Sequence, residues 1–449
     1  MVSYRSALTV SLKEYPMMPF RRTFPFFAFL FFLAVSASAQ NIDWKRIQID
    51  SVFRSEGVAV ADINRDGRND IIAGDVWYEA PPFYSKQWKR ANRNLKEMFP
   101  NGNILIEMTT KKDWVMHAFR PVGKYIPQKG YSQSFVNATA DINGDGWQDI
   151  IVIGFPGAPF SWYENPRGNF NTHWKKHLIW HSACNESPLF LDLTGDGKPE
   201  LIMGSQPERQ MGFLPLPNTQ QAKRKWTFHA ITTPGDPAKN GTFRYYHGLG
   251  VGDINRDGRK DILIPHGWWE GPSKISQEFW KFHPWTLSPD GKGNPLPSAN
   301  IYAYDLDLDG DNDLMMSSAH SFGIWWFENI GGNDNPKFRF HEIDKSFSQT
   351  HALHLADING DGTLDLITGK RYFAHQGRDP GGKQPVAMFW YEIQRKRNTP
   401  PRFIRHEIEA GRNTGIGTQF RVTDFDKDGL LDIVLSNKKG VNLLLQRRN

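Results

Sequence analysis

The chain has 449 residues, with 54 Lys or Arg, 48 Asp or Glu and a single cysteine, Cys184. Formal charge is +6, and the first 39 residues hold four Lys/Arg and one Glu, so the remainder carries 6 − 3 = +3. So small and dispersed an excess predicts no nucleic-acid-binding face, and one cysteine excludes an internal disulfide; its expected place is a buried apolar site.

From the N-terminus, residues 17–39 read "MMPFRRTFPFFAFLFFLAVSASA". A basic pair (Arg21, Arg22), a short apolar run and Ala37-Ser38-Ala39 have the order of a secretory signal, with translation starting at Met1, Met17 or Met18. The run is short for a membrane span, so residues 40–449 are expected to be exported, to periplasm or exterior, and not membrane-embedded. The 16 Trp and 31 Phe suit a protein that handles carbohydrate.

"WKRIQI" at Trp44 alternates as a strand does. After it comes an acidic loop, "DINRDGRND" at Asp62, which then recurs. Further copies begin at Asp141, Asp192, Asp253, Asp305, Asp357 and Asp424, at intervals of 79, 51, 61, 52, 52 and 67 residues. An apolar run follows each loop. In five units an aromatic pair plus Glu comes next (Trp77-Tyr78-Glu79 is the first), then an alternating segment such as "WKKHLI" or "FIRHEI". A period near 50 with four strand-like segments predicts an all-β chain, a seven-bladed β-propeller of four-stranded blades. The last unit lacks its fourth segment, so residues 44–49 are expected to complete that blade and close the ring. That makes residues 40–449 one domain, with a polar insertion near 84–113.

Within each loop, oxygens at positions 1, 3, 5 and 9 with Gly at 6 suit a hard cation such as calcium. Blades 1 and 2 offer Asp62, Asn64, Asp66 and Asp70, then Asp141, Asn143, Asp145 and Asp149. The third set is the weakest: Asp192, Asp196 and Glu200, with Thr194 between. Blades 4 and 5 offer Asp253, Asn255, Asp257 and Asp261, then Asp305, Asp307, Asp309 and Asp313. The last two sets are Asp357, Asn359, Asp361 and Asp365, and Asp424, Asp426, Asp428 and Asp432. Some loops can also close by side-chain to backbone hydrogen bonds alone. The repeats resemble the FG-GAP or VCBS repeats of integrin α-type seven-bladed propellers over nearly the whole mature chain, a likeness that speaks for fold and hardly for function.

Six of the 14 histidines, His117, His177, His229, His283, His341 and His406, hold one position of the fourth segment. A residue repeated round a ring cannot converge on one axial site, so these read as structural. His247 and His351 instead lie six residues before their loops, about 20 Å of strand away on the opposite rim. Glu56 and Glu186 share that position; His266, His320 and, more loosely, Asp75, Lys370 and His375 come where the second strand returns to the rim. His247, His266, His320 and His351 are therefore candidate ligands of zinc or another divalent metal, the plainer reading being a hydrogen-bonded polar rim. The glycine-rich loop 369–385, with Lys370, Arg371, Tyr372, His375 and Arg378, is read as a substrate loop or a solvated connector.

"HGLGVGDINRDGRKDILIPHGWWEGP" and "THALHLADINGDGTLDLITGKRYFAHQGRDPG" are similar to the propeller part of aldos-2-ulose dehydratase/isomerase enzymes. This resemblance implies a metal-dependent sugar dehydration site on the propeller. A rim metal would polarise a keto-sugar carbonyl; Glu56, Glu186 or a neutral histidine such as His351 would take the α-proton, and His375 or Tyr372 would assist the departing hydroxyl, with Lys370 and Arg371 in the same loop. A polysaccharide lyase would use the same proton abstraction, so the two stay open. The competing classes are a non-catalytic glycan- or protein-binding propeller and a purely structural extracellular protein.

Overall fold

The computed structural model describes residues 42–82, 113–275, 279–289, 293, 296–333, 335–409 and 413–448, all in one compact unit, 41–449. The expected signal segment and residues 84–112 of the expected insertion lie outside the described residues. Among those described, no helix is long and apolar enough to cross a membrane.

Seven four-stranded antiparallel sheets form the blades of a β-propeller, each running in sequence order from an inner strand outward. Blade 6 is representative: Leu353–Ala356, Asp365–Gly369, Met388–Lys396 and Thr399–Glu407. In the last blade the outermost strand is Ile42–Asp50, pairing antiparallel with Gly440–Arg448 from Ile42↔Arg448 to Asp50↔Val441. The ring is closed by its N-terminal strand, as the missing fourth segment predicted, and the final blade reaches four strands like the others.

The core lies between blades, not within them. Ile72 and Trp77 of blade 1 pack with Ile150 and Tyr163 of blade 2, while Val434 and Leu443 of blade 7 pack with Ile71 and Val76 of blade 1. Cys184 is buried. At the closest approach of the blade 4 and blade 5 inner strands glycine is required: a Cβ on Gly250 would stand 2.2 Å from the Ile301 carbonyl oxygen, where the two segments form a parallel bridge.

Five of the repeated histidines stack flat on the tryptophan of the third strand, Trp77–His117 at 4.2 Å and Trp390–His406 at 4.1 Å between ring centres. Their Nε2 atoms also meet the following glutamate, His177 to Glu164 at 2.9 Å and His283 to Glu270 at 2.8 Å. In blade 3 the stack is Phe213–His229, 5.2 Å apart. The repeat thus places these imidazoles in the blades' outer layers, where they hold third and fourth strands together.

Each acidic loop is tied to its blade through its ninth residue. Asp70 accepts from the backbone N–H of Ile63 and of Ala80, both at 2.9 Å, and Asp149 does the same with Ile142 and Asn165. Burial pushes Asp70, Asp149, Asp261, Asp313, Asp365 and Asp432 up to about 7. The first aspartate wraps the turn: Asp62 accepts from the N–H groups of Asp66 and Gly67, the latter at φ 85°, where a side chain would be strained.

A candidate metal centre on the rim

On the face opposite the acidic loops, the segments leading into three inner strands bring in Glu186, His247 and His351, and the turn between the second and third strands of blade 5 adds His320. His247 Nε2 lies 3.0 Å from His351 Nε2 and 2.9 Å from His320 Nε2. Glu186 enters from blade 3: its Oε2 is 3.1 Å from His351 Nε2 and 3.6 Å from His247 Nε2. Local backbone strain helps to aim these groups. Tyr245 and Gln349, each two residues before its histidine, adopt φ of 74° and 61°, in the left-handed region that few side chains occupy.

Electrostatics leave this group ready for a cation. Burial, helped by the Arg371 charge, holds His351 well below its usual range, and burial plus His247 brings His320 down to about 4. Burial would raise Glu186, but the adjoining histidines outweigh it and hold its carboxyl well below normal. Two neutral imidazoles and an ionised carboxylate make a donor set for a borderline divalent ion.

Spacing supports the same ion. With metal–nitrogen bonds near 2.05 Å, neighbouring octahedral ligands stand about 2.9 Å apart and tetrahedral ones about 3.4 Å. Without an ion, one Nε2 proton on His247 cannot serve both neighbours, and lone pairs would face each other across 3 Å-scale gaps.

Around this group lies a supporting layer. Asp379 meets His320 Nδ1 at 3.2 Å and His375 Nδ1 at 2.9 Å, and accepts from Gln349 Nε2 at 2.9 Å. Carboxylates placed so fix the tautomer of a ligating histidine and leave its Nε2 lone pair forward. His375 is itself held at φ 46°, with its ring 4.5 Å from that of His320 and its side chain 40% exposed. Beneath, Arg371 is fully buried between Glu56 at 3.6 Å and Glu186 at 3.9 Å. Lys370 donates to Gln349 Oε1 at 2.7 Å, and burial brings its ammonium down to about 8.

Of the four histidines expected as rim ligands, the structure therefore brings together three. His266 stands apart, because its Nδ1 bonds the Tyr246 hydroxyl at 2.6 Å in the turn between second and third strands. Tyr372 also points elsewhere: the Lys439 ammonium lies 4.4 Å over its ring. Glu56 sits under Arg371 at 1% exposure, and burial raises its carboxyl. Asp75 pairs with Arg120 at 2.6 Å, away from the histidines. Asp379 was not singled out from sequence; its four-residue spacing from His375 in the glycine-rich loop was the available signal. Tyr131 was missed too, although its hydroxyl accepts from the His375 N–H at 2.9 Å and its ring lies under Arg371 and Lys438.

Among the acidic loops, Asp305, Asp307 and Asp309 bring carboxylate oxygens within 4.8 Å of one another, as do Asp424, Asp426 and Asp432. Arg447 pairs with Asp426 and Asp428, each at 3.3 Å, and offsets part of the charge in the last loop.

The repeat is recognisable among known proteins. A family model for the FG-GAP-like repeat matches residues 141–203 and 305–368. The chain is 22% identical to cartilage acidic protein 1 of Xenopus tropicalis over 416 residues, 85% of this chain and 57% of that protein. It is 34% identical to integrin alpha pat-2 of Caenorhabditis elegans over 165 residues, 33% of this chain and 13% of that protein. The chain thus spans just over half of the first relative and about an eighth of the second. Among solved structures, a lectin of Agrocybe aegerita that recognises non-reducing terminal N-acetylglucosamine aligns over 91% of this chain and 86% of its own, at 14% identity and TM-score 0.41. YCF48 from Cyanidioschyzon merolae aligns over 90% and 98% at 10% identity and TM-score 0.44. The chain carries FG-GAP-like repeats on a seven-bladed propeller.

Proposed function

We propose that this chain is an exported, calcium-stabilised propeller whose rim is a metal-dependent elimination site for a keto-sugar or uronate glycan. The observation that carries the reading is the meeting of His247, His320 and His351 Nε2 atoms with the Glu186 carboxylate. A divalent ion held there would polarise a carbonyl and stabilise the enolate formed on loss of the neighbouring proton.

The chain's own groups divide the remaining work. His375, exposed and oriented through Nδ1 by Asp379, takes the α-proton on Nε2. The electron pair left behind forms the carbon–carbon double bond as the β-substituent leaves, hydroxide or a sugar oxygen, and the departing oxygen takes a proton from solvent or an acid. Lys370, fully buried, donates to Gln349 Oε1 and so steadies the amide that in turn donates to Asp379. Glu56 is too buried to meet substrate and serves to hold Arg371.

The test is turnover. Purified protein is incubated with keto-sugars and uronic polysaccharides, following the ultraviolet absorbance of the unsaturated product. The wild type should turn over at least one of them, and His375→Ala and His351→Ala should lose at least about a hundredfold. A second reading is favoured by Phe243, 52% exposed and 6.4 Å from Tyr245, a surface on which sugar rings could stack. Glycan binding unchanged in both variants, with no turnover on any substrate, would establish that reading instead.

A further inference from the structure

Three residues before the first aspartate of each loop, the seven inner strands carry Ala59, Ala138, Leu189, Gly250, Tyr302, His354 and Arg421. All the polarity of this layer falls on three successive blades. Tyr302, His354 and Arg421 line a cavity of about 210 Å³ in the ring's central passage, with Asn300 and Gln419 beside them and Leu189 and Phe420 among its apolar lining.

Arg421 is poorly compensated there. Its Nη2 donates to the Asn137 carbonyl at 3.3 Å, and among the described residues it forms no ion pair with a carboxylate. Burial lowers its pKa, with Tyr302 the group that opposes the shift. The neighbours do not answer its charge: the Tyr302 hydroxyl donates to the Leu353 carbonyl at 3.0 Å, and His354 Nδ1 faces the Leu355 carbonyl at 3.2 Å. Arg421, half-buried, lines the cavity with no carboxylate partner among the described residues, and the fork of its guanidinium matches a carboxylate's two oxygens.

We propose that this cavity is a binding site for one small organic carboxylate, its acid group on Arg421 and its polar body between Asn300 and Gln419. The volume decides against larger ligands, since drug-sized pockets begin at roughly 300 Å³. The single cation decides against a dianion such as phosphate, because burial and Arg421 bring His354 down to about 4 and leave it neutral. The apolar lining suits the carbon frame of an organic acid better than a bare halide.

The cavity's lining includes Ser187 and Ala352, next in the chain to Glu186 and His351, so the experiment is chosen to separate this site from the rim metal. Calorimetry with glucuronate, glucose and inorganic phosphate would be run on wild type, Arg421→Gln and His247→Ala. Glucuronate should bind and glucose and phosphate should not; Arg421→Gln should weaken glucuronate at least tenfold, and His247→Ala should leave it unchanged. Should Arg421→Gln fail to fold, Arg421→Lys is read in its place, with a weakening of several-fold expected from the lost fork. Equal affinity in wild type and the Arg421 variant, loss of binding in His247→Ala, equal binding of phosphate, or no glucuronate heat in wild type would each overturn the proposal.

Discussion

His247 and His351 are 104 residues apart in the chain, yet their Nε2 atoms lie 3.0 Å from each other. Two such nitrogens share one proton or one cation, and His320 at 2.9 Å from the same His247 atom leaves the proton unable to satisfy all three. Elemental analysis of protein purified without chelator should therefore find about one transition metal per chain above any calcium. His247→Ala and His351→Ala should each lose it while keeping the calcium. A calcium-only result, identical in all three proteins, removes the metal centre.

The buried ninth aspartates set a pH dependence. Their folded-state value of about 7 lies above the ordinary 3.8, so the folded protein holds protons the unfolded chain has released. That contribution is complete below about pH 4 and is lost as pH rises through about 7. His320 and His354, both lowered to about 4, act oppositely but only below the ordinary histidine value of 6.5. Between pH 6.5 and 8, then, metal-free protein should lose several degrees of Tm. Calcium, by neutralising the loops, should flatten the curve, so chelation costs more at pH 8 than at 6.5. No chelator effect at either value would mean the loops hold no ion, and an equal loss at both would mean that binding is not linked to the buried aspartates.

Arg371 is buried between Glu56 and Glu186, and removing its charge strands two carboxylates in the interior. Arg371→Met should cost about 3–5 kcal/mol in urea unfolding, as for other broken buried pairs. Adding Glu56→Gln should return part of it, because the neutral amide no longer needs the cation. No recovery in the double variant would show that Arg371 acts by packing on Tyr131, 5.3 Å from its guanidinium, and not by charge.

Deleting residues 42–50 removes the strand that covers Gly440–Arg448. The truncated protein should unfold at lower temperature and associate through the uncovered edge, visible as oligomers in light scattering. A monomer with unchanged Tm would mean that blade 7 is stable with three strands.

The ring and its closure were legible because they rest on repetition: seven acidic loops count the blades, and one absent segment shows where Trp44 belongs. The same register separated His117 and its equivalents from His247, His320 and His351. Where the chain leaves the repeat, the reading fails. His266 has the right register, but the Tyr246 hydroxyl captures it, and no spacing announces a single hydrogen bond. Asp379 lies in a loop shaped by left-handed Phe373, His375 and Gln376, whose path no periodicity encodes. Charge was underread as well. The stacked pair of Arg371 and Lys438 on Tyr131 joins residues from blades 2, 6 and 7, which only the closed ring makes neighbours.

The closing strand also sets a clock. Arg46 donates to Asn442 at 3.1 Å across a separation of 396 residues, so its strand waits for a partner made 396 residues later. Until then the early strand has no partner, and such long-range pairing is slow to form. Closure is therefore the last event: a chain cut short before Gly440–Arg448 leaves Ile42–Asp50 without its partner strand.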